Sequence, residues 1–485
     1  MVTDIITIIV ITTRVLKENL SIFYLAISPI VLCPLRVTPH SSSIMKVENK
    51  NLTRNILSLS AVQIANNILP LLSVPVISRI IGPDKFGSIN FAASFIGYFV
   101  LLIGYGFDLS ATRKISRDPF NIENRNKVFS EVFYIQSILL IFSGFIFSYL
   151  IYTIPQFKVE SLLMIFSFLI CISTVFTQNW LFLAMQDMPK VAIFNLVSKL
   201  LFTVFILLLV KQKNDYVLHP LIIGCIQIGV SLTSFIWAFK KYQLKFVKVP
   251  FLATIKLLWT ERMIFFSLVV VNLFTTTNIF ILGLYQSPTQ VGYFSAGQRL
   301  IMIIQTIITT PLSQALYPYI GQSFGESKEA GIKMVQKLLP IVLMLTGAAV
   351  LAILILGPYL IRLFYGEKFS PAIPVLYILM FLPLIICFSN LMGIQIMLNL
   401  KMDKIFFRIT ACGAALSIFL NLMMIKKWGY LATSFNWILT EFFIAITMFL
   451  VLRHRNIHPI ELQYFKVSVY KKYYQALKLK YWPAP

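Results

Sequence analysis

Charged residues are scarce in this sequence. Asp, Glu, Lys and Arg make up 12% of its 485 residues, about half the share of a soluble globular domain. Hydrophobic residues reach 58%, and the mean hydropathy is +0.82. Apolar runs of about 20 residues, the length that crosses a bilayer, recur along the chain. Because these runs are continuous and do not alternate, they exclude a membrane β-barrel and predict an all-α polytopic membrane protein.

Residues that form metal sites, disulfides and catalytic centres are few and scattered. The five cysteines stand singly in apolar surroundings, without a CxxC motif or a Cys/His cluster. Neither a disulfide framework nor a metal site is therefore predicted. The sequence also lacks an HExxH motif, a nucleotide-binding glycine loop and paired carboxylates in a large loop. We expect no enzyme activity and no bound organic cofactor.

Twelve transmembrane helices are predicted from Arg54 onward. Their limits are 54–80, 89–110, 129–151, 161–184, 190–210, 217–239, 263–286, 291–319, 337–361, 372–400, 405–425 and 429–452. Lys and Arg total 28 in the two terminal segments and the loops after even-numbered helices, and 9 in the remaining loops. By the positive-inside rule, the richer side faces the cytoplasm and both termini are cytoplasmic. This asymmetry explains the net charge of +24 without a nucleic-acid partner.

The two ends of the chain lie outside the predicted helices. Residues 1–44 include the short apolar segment 21–35 and are predicted to be a non-core extension. A thirteenth span or a signal-like segment is the alternative. The tail 453–485 holds seven Lys or Arg with interleaved aromatic rings. It is predicted to lie as a short helix on the anionic cytoplasmic leaflet, with a solvated tail as the alternative.

One short motif occurs twice, 205 residues apart. GPDKFGSINFAAS and SPTQVGYFSAGQR align so that Pro83 matches Pro288 and Gly87 matches Gly292. Each copy lies in a predicted outer turn between two helices, and a shift of six helices preserves the orientation in the membrane. Such parallel repeats are related by an axis along the membrane normal.

The repeat predicts two six-helix lobes around a central cavity. The N-terminal lobe covers 45–239 and the C-terminal lobe covers 263–452. A cytoplasmic linker at 240–262 joins them, and the basic tail follows at 453–485.

Polar side chains indicate which helices line the predicted cavity. Gln63 and Asn67 lie on one face of the first helix, Asn272 lies in the seventh, and Arg299 lies on a polar stripe of the eighth. Amides on both lobes favour walls that face water. Hydrogen bonding between helices is the alternative for such residues.

Charges within the membrane are rarer, and they point more strongly to function. Lys199 lies ten residues into the fifth helix and Arg299 eight residues into the eighth, too deep for simple surface charges. Glu441 is near the middle of the twelfth helix, and Asp108 is near the inner end of the second. Glu441 and Asp108 are candidates for binding a coupling proton or sodium ion. Alternatively, Glu441 pairs with a cation of the cavity.

Four stretches of the chain, the first of them in two parts, resemble one known family. They are IIGPDKFGSINFAASFIGYF with GYGFDLSATRKISR, QNWLFLAMQDMPKVAIFNLVSK, VGYFSAGQRLIMIIQTIITTPLSQALYPYI and YGEKFSPAIPVLYILMFLPLIICFSNLMGIQIMLNL. They are similar to the O-antigen flippases, often called Wzx, in the polysaccharide transporter branch of the multidrug/oligosaccharidyl-lipid/polysaccharide flippase superfamily. In the second stretch, relatives commonly have Gly and Glu after the tryptophan, where this chain has 184–187 as Ala-Met-Gln-Asp.

This resemblance implies a MATE-like fold in the bacterial inner membrane. The implied activity is transport of an undecaprenyl-diphosphate-linked oligosaccharide, an O-antigen or similar repeat unit of lipopolysaccharide, from the cytoplasmic to the periplasmic leaflet. The implied partners are that substrate, membrane lipids, and a polysaccharide polymerase or chain-length regulator.

The implied substrate also gives the polar residues roles. Lys199 and Arg299 have the right sign to bind the diphosphate. Arg113, with its neighbours Lys114 and Arg117, could recruit the diphosphate at the inner mouth or serve as a positive-inside anchor. The amides of Gln63, Asn67 and Asn272 suit sugar hydroxyls.

Two other functions compete with this reading. A drug or organic-cation antiporter of the same superfamily should carry acids rather than cations in its cavity, whereas Lys199 and Arg299 occupy the middle of this membrane domain. A membrane polysaccharide polymerase or ligase should carry a large outer loop, and the predicted outer loops are short.

Overall fold

The chain is helical in all the parts that the computed structural model describes. The backbone is described for residues 44–466, and the side chains from Ser73 onward except 271, 274, 275 and 310–318. No β-strand occurs within those bounds. The predicted extension 1–44 and most of the basic tail lie outside the described residues, as do the side chains of Gln63 and Asn67.

Fifteen α-helices occur in the described part of the chain. They are α1 (Ile44–Gly104), α2 (Phe107–Ser116), α3 (Ile122–Thr153), α4 (Pro155–Val159), α5 (Ser161–Phe176), α6 (Asn179–Ala184), α7 (Met188–Leu209), α8 (Leu218–Lys241), α9 (Phe251–Thr275), α10 (Thr277–Tyr285), α11 (Pro288–Glu326), α12 (Lys328–Tyr365), α13 (Ile373–Leu379), α14 (Leu382–Asn390) and α15 (Asp403–His454). A π-helical segment, Leu391–Leu398, follows α14, and short 3₁₀ helices lie at Lys213–Val217, Glu367–Ala372 and Leu462–Phe465.

The lengths and apolar character of these helices make the chain a multi-pass membrane protein. Within the described residues, nine helical segments are long and apolar enough to cross a bilayer. The segment Asp403–His454 is one of them, yet its 52 residues contain a non-helical glycine, Gly429. Each arm beside Gly429 exceeds the about 20 residues needed for one crossing. The predicted count of twelve spans and the predicted lobe boundaries stay predictions.

The first repeated motif forms a tighter turn than its sequence suggests. The prediction places a loop between helices ending at 80 and starting at 89, whereas α1 continues through this region with one non-helical residue, Gly82 (φ 75°). Glycine adopts this left-handed conformation without steric cost. Pro83 then starts the second arm of α1, where its fixed φ and missing N–H are tolerated. We call this turn the first elbow, residues 82–88.

The second elbow, residues 287–293, has the same construction. Ser287 is extended (φ −65°, ψ 152°) and Pro288 is the first residue of α11. The equivalence of Pro83 and Pro288 therefore has a structural basis, since each opens a helix directly after a turn.

Several helices extend beyond their predicted limits on the side that the sequence predicts to be cytoplasmic. α9 begins at Phe251, inside the predicted linker 240–262, and α12 begins at Lys328 rather than 337. Hydropathy identifies only the apolar part of a helix, whereas Lys and Glu continue the same helix into water at little cost. The start of α12 is fixed by Ser327, whose hydroxyl accepts the Ala330 N–H at 3.0 Å.

Four predicted spans are interrupted in the structure, the second at Tyr105 and Gly106, the tenth at Met380 and Phe381, and two more well inside the span. The predicted fourth helix divides into α5 and α6 around Thr177 and Gln178, and the predicted seventh divides into α9 and α10 at Thr276. Broken helices release backbone groups that must be satisfied locally. At the first break, the Gln178 side-chain N–H donates to the Val175 carbonyl at 3.2 Å.

A candidate transport site between the two halves of the chain

The two elbows pack directly against each other, and their contacts are reciprocal. A Cβ atom on Gly87 would overlap the Pro288 carbonyl, and a Cβ atom on Gly292 would overlap the Pro83 carbonyl. These four residues are the pairs that the 205-residue offset makes equivalent. Small residues allow helices to approach this closely in membranes. The repeated motif therefore forms a contact with approximate two-fold symmetry between the N-terminal half (45–239) and the C-terminal half (263–452).

Polar contacts hold the first elbow to neighbouring loops of its own half. The Glu160 carboxylate accepts from Lys85 at 3.0 Å and from Ser88 at 3.3 Å, and also from the Tyr216 hydroxyl. Lys213 forms an ion pair with Asp84 at 2.9 Å. Together these contacts fix the elbow relative to α4 and to the turn before α8.

The second elbow is held in a corresponding way. Gln290, which stands 205 positions after Lys85, accepts the Tyr430 N–H at 3.1 Å and donates to Gln286 at 2.9 Å. Gln286 in turn donates to the Ile425 carbonyl at 2.8 Å. Each elbow is thus tied to the last interhelical turn of its own half.

The second arm of α1 also packs against α9 and α10 along its length. We call this interface, which includes residues of both α9 and α10, the α1–α10 seam. Near the elbows, Phe91 stacks on Phe280 with ring centroids 5.8 Å apart. At mid-height, the hydroxyls of Tyr98 and Thr277 are 2.7 Å apart. Near the inner end, Tyr105 stacks on Phe265 at 4.4 Å. The seam joins the two halves from the elbows to the opposite end, which are the predicted outer and inner sides.

The two membrane-embedded cations, Lys199 and Arg299, lie on opposite halves and close enough for their charges to interact. Arg299 is exposed on α11, whereas its neighbours Gln298 and Leu300 are buried. Lys199 is half-buried on α7. The charge of Arg299 acts on Lys199, and also on His219 and Tyr365. One cation thus lies on each half, and the two are within electrostatic range of each other.

Of the three amide residues predicted to line the cavity, only Asn272 has a described side chain. Asn272 is half-buried in α9, where its amide donates to the Leu268 carbonyl at 2.9 Å. The Thr276 hydroxyl lies 3.5 Å from the Asn272 side-chain oxygen. Gln63 and Asn67 lie on α1, beyond the described side chains.

The two acids predicted to couple an ion are not brought together. Glu441 is buried on α15, with 7% of its surface exposed. Asp108 is exposed in the first turn of α2. Among the described residues, no ion pair involves either acid. Their coupling role stays a prediction.

A cluster of neutral polar side chains in the C-terminal half was missed by sequence reasoning. The side-chain oxygen of Asn278 accepts from Asn421 at 2.6 Å and from Asn436 at 3.3 Å, and Asn436 also donates to Ser417 at 3.0 Å. All four side chains are at most 2% exposed. We call these residues the amide cluster. The four-residue spacing of Ser417 and Asn421, which puts both on one helix face, was a signal in the sequence.

The described residues offer no conventional metal centre. No group of three or more His, Cys, Asp or Glu side chains comes together in the described part of the chain. The amide cluster supplies oxygen atoms, the ligand type of hard cations, but it holds no carboxylate, and its Asn278 oxygen already accepts from two amide N–H groups.

The acid of the divergent fourth-helix motif also has a definite structural position. Asp187 forms an ion pair with Lys241 and accepts from the Tyr242 hydroxyl at 3.1 Å. Burial and the Asp187 carboxylate raise the pKa of Tyr242, so the phenol stays protonated and keeps donating. Arg125 donates to the Tyr242 carbonyl at 2.7 Å. These contacts hold Lys241 and Tyr242, at the start of the predicted linker 240–262, against the N-terminal half.

Comparison with known proteins identifies the family. The family described as "Polysaccharide biosynthesis protein" matches residues 52–324, more than half of the chain. The chain belongs to this family. A relative from Escherichia coli strain K12, named as a candidate O-antigen transporter, is 24% identical over 414 residues, which cover 85% of this chain and 99% of the relative.

Solved structures show that this polysaccharide biosynthesis family member shares a known transporter fold. A multidrug resistance MATE family transporter of the MOP superfamily, in an inward-facing conformation, has a TM-score of 0.65 at 16% identity, covering 80% of this chain and 94% of that one. The lipid II flippase MurJ, in an inward closed conformation, also has a TM-score of 0.65, at 15% identity, covering 84% of this chain and 88% of that one. At these identities the similarity establishes the fold, and the predicted MATE-like architecture is confirmed at that level.

Proposed function

We propose that this protein flips an undecaprenyl-diphosphate-linked oligosaccharide, an O-antigen or similar repeat unit, from the cytoplasmic to the periplasmic leaflet. Family membership supports a role in polysaccharide biosynthesis. The name of the E. coli relative and the flippase function of the structural neighbour agree with transport of a lipid-linked sugar.

The observation that carries this proposal is the interaction between Lys199 and Arg299 across the two halves. Both cations have the sign that a doubly negative cargo requires, and an anion bound beside both of them lowers their mutual repulsion in a low-dielectric space. A diphosphate supplies that anion, and the planar guanidinium of Arg299 can bind two phosphate oxygens at once. The sugar hydroxyls would then meet the amides of Gln63, Asn67 and Asn272, while the prenyl chain stays in the surrounding lipid.

The packed elbows support alternating access as the transport mechanism. They close the outer side between the halves, so substrate would reach Lys199 and Arg299 from the cytoplasm. Separation of Gly87 from Pro288, and of Gly292 from Pro83, would then open the outer side. The twelve-span arrangement in two lobes, with both termini cytoplasmic, is part of this proposal.

A cation antiporter is the second candidate within the same fold, which it shares with a multidrug transporter. Such a protein needs an acid where its cargo binds. The interhalf pair described here is cationic, and Glu441 lies buried on α15 without an ion pair among the described residues. The sign of the charge between the halves therefore favours an anionic cargo.

Complementation of a flippase-null strain tests the proposal. We expect the wild-type gene to restore surface polysaccharide, Arg299→Ala to abolish it, and Arg299→Lys to restore part of it, because lysine keeps the charge but lacks the bidentate fork. The amount of each variant in the membrane is measured in parallel. Full activity of Arg299→Ala at normal abundance would contradict the proposed site.

The coupling ion can be tested separately. We propose that Glu441 binds a proton or sodium ion during transport. Substrate uptake into inverted vesicles should then depend on a proton or sodium gradient in the wild type and lose that dependence in Glu441→Gln. A gradient dependence that survives the substitution would exclude Glu441. Binding of a polymerase or chain-length regulator remains an expectation from the family resemblance, and co-purification would detect it.

A further inference from the structure

The inner end of the α1–α10 seam is closed by one carboxylate and two cations. Glu261 on α9 pairs with Lys114 at 2.9 Å through one oxygen and with Arg113 at 3.9 Å through the other. The two cations lie on α2, in the N-terminal half. Only 4% of Glu261 is exposed, whereas 60% of the Arg113 side chain is exposed. The carboxylate is therefore enclosed, while its cationic partners remain accessible from the cytoplasm.

Among the described side chains, the rest of the seam has no comparable charge contact. Gly106 packs against the side chains of Ile264 and Leu268, and Tyr105 stacks on Phe265 and donates to the Leu258 carbonyl at 3.1 Å. A dissolved anion cannot compete with apolar or aromatic contacts. A dissolved anion can compete for Lys114 and Arg113, because both cations already bind an anionic group, the Glu261 carboxylate.

We propose that Arg113 and Lys114 form a first binding site for the diphosphate of the substrate, and that Glu261 occupies this site until the substrate arrives. This inference rests on the proposed function. It adds a cytoplasmic subsite, distinct from Lys199 and Arg299, in which a glutamate of the protein takes the place of the phosphate oxygens.

The exchange of anions has a mechanical consequence. A diphosphate carries more charge and more acceptor oxygens than a carboxylate, so it binds the two cations more strongly. Glu261 then loses both partners, and an unpaired carboxylate cannot remain buried without a large penalty. Hydration of Glu261 requires α9 to move away from α2. Binding of the diphosphate therefore loosens the inner end of the seam.

The surface of α9 beside this subsite suits a lipid-linked substrate. Leu252, Ile255, Trp259 and Met263 are exposed at helical spacing on α9. Arg262 covers the Trp259 ring at 4.1 Å, an arrangement typical of the headgroup level. A prenyl chain anchored in the inner leaflet would bring its diphosphate to this level of the protein.

Binding measurements on the purified full-length protein test the subsite. The probes are inorganic diphosphate and farnesyl diphosphate, with farnesol as the uncharged control, measured by calorimetry. We expect Glu261→Gln to bind both diphosphates about tenfold more tightly, which is 1.4 kcal/mol, because the competing anion is gone. Lys114→Gln should bind them more weakly. Glu367→Gln is the matched control, since it removes a glutamate paired with Arg362, away from the seam.

A second measurement reports the movement of the seam. A cysteine introduced as Ile264→Cys, which faces Gly106, should react faster with a maleimide when inorganic diphosphate is present. The acceleration should be absent in Lys114→Gln. These readouts require no transport.

The outcomes separate this subsite from the proposed function. Equal diphosphate affinity in Glu261→Gln and the wild type would overturn the inference and leave Glu261 as a structural ion pair. Loss of all diphosphate binding in Arg299→Gln, with no effect of Glu261→Gln, would also overturn it, because the central cations alone would then bind the probe. If instead the wild type failed to restore surface polysaccharide in the null strain, the proposed function would fail, whatever the binding data.

Discussion

Arg299 and the amide cluster show which single residues a sequence reveals in a membrane protein. A charge inside an apolar run is conspicuous, because its burial in lipid is costly without a functional or structural reason. Lys199 and Arg299 could therefore be selected from sequence, although their interaction across the halves could not. Asn278 and Asn436 are neutral, and such residues are common in membrane helices. Their pairing depends on the rotation of helices α10 and α15, which the sequence does not specify.

The amide cluster leads to a prediction about stability. Asn278→Ala removes the oxygen that accepts from both Asn421 and Asn436, and each buried donor left unsatisfied costs about 1–3 kcal/mol. We expect a clear decrease in the melting temperature of the detergent-solubilised protein.

Asn90→Ala provides the matched control for that measurement. The Asn90 amide is half-buried and donates only to the Phe86 carbonyl of its own helix, at 2.7 Å. Without the Asn90 amide, the Phe86 carbonyl still accepts the N–H of its own helix. The decrease in melting temperature should therefore be small. Equal melting temperatures for the two variants would mean that the cluster does not stabilise the C-terminal half.

At the scale of elements, the two elbows explain why one motif is present twice. Neither elbow could form this contact alone, because each glycine leaves space for the carbonyl of the other elbow. The contact requires a proline to start each helix and a glycine four residues later, and both copies keep that spacing. The duplicated sequence thus yields a symmetric contact from two halves that otherwise differ in side chains.

Substitution of a single elbow glycine should open this contact. A Cβ atom on Gly87 meets backbone, which cannot move aside as a side chain can, so Gly87→Ala should cost about 1–3 kcal/mol in the outer-closed state. We expect faster hydrogen exchange in the two elbows and reduced transport. Gly347→Ala is the control, because nothing lies within 4 Å of that position. Unchanged exchange in Gly87→Ala would show that the elbows do not set the closed state.

The limits of prediction at this scale have physical causes. Hydropathy locates the apolar centre of a span but not its ends, because polar residues can continue the same helix beyond the apolar part. α9, for example, begins at Phe251, twelve residues before the predicted span at 263. The breaks at Gln178 and Thr276 could not be predicted, since neither place has a proline or glycine to signal it. Those breaks are stabilised by tertiary contacts, such as the one between Tyr98 and Thr277, which a single helix does not contain.

At the scale of the whole molecule, the arrangement of contacts gives the transporter a direction. The elbows close one end of the contact between the halves, and the α1–α10 seam joins the halves on one flank down to Glu261. Lys199 and Arg299 place one cation on each half. If the elbow end faces the periplasm, as the positive-inside rule predicts, an anion that binds these cations in this state comes from the cytoplasmic side.

That direction depends on the orientation of the chain, which leads to the final prediction. The side with 28 Lys and Arg should be cytoplasmic, and the side with 9 should be periplasmic. Lys158, in α4, and Lys427, just before Gly429 in α15, lie in predicted loops on the poorer side. Arg117 and Lys328 lie on the richer side, and all four side chains are exposed. We expect Lys158→Cys and Lys427→Cys to react with an impermeant maleimide in cells with a permeabilised outer membrane.

Arg117→Cys and Lys328→Cys should react only after the inner membrane is opened. The exposed cysteines Cys225 and Cys412 are first replaced by serine, so that each variant reports one position. Lys158 and Lys427 are separated by eight predicted helices, and an even number places both on the same side. Labelling of the two from opposite sides would require an odd number of spans between them, which would refute the two six-helix lobes. Labelling of all four in the inverse pattern would instead keep the lobes and reverse the direction of transport.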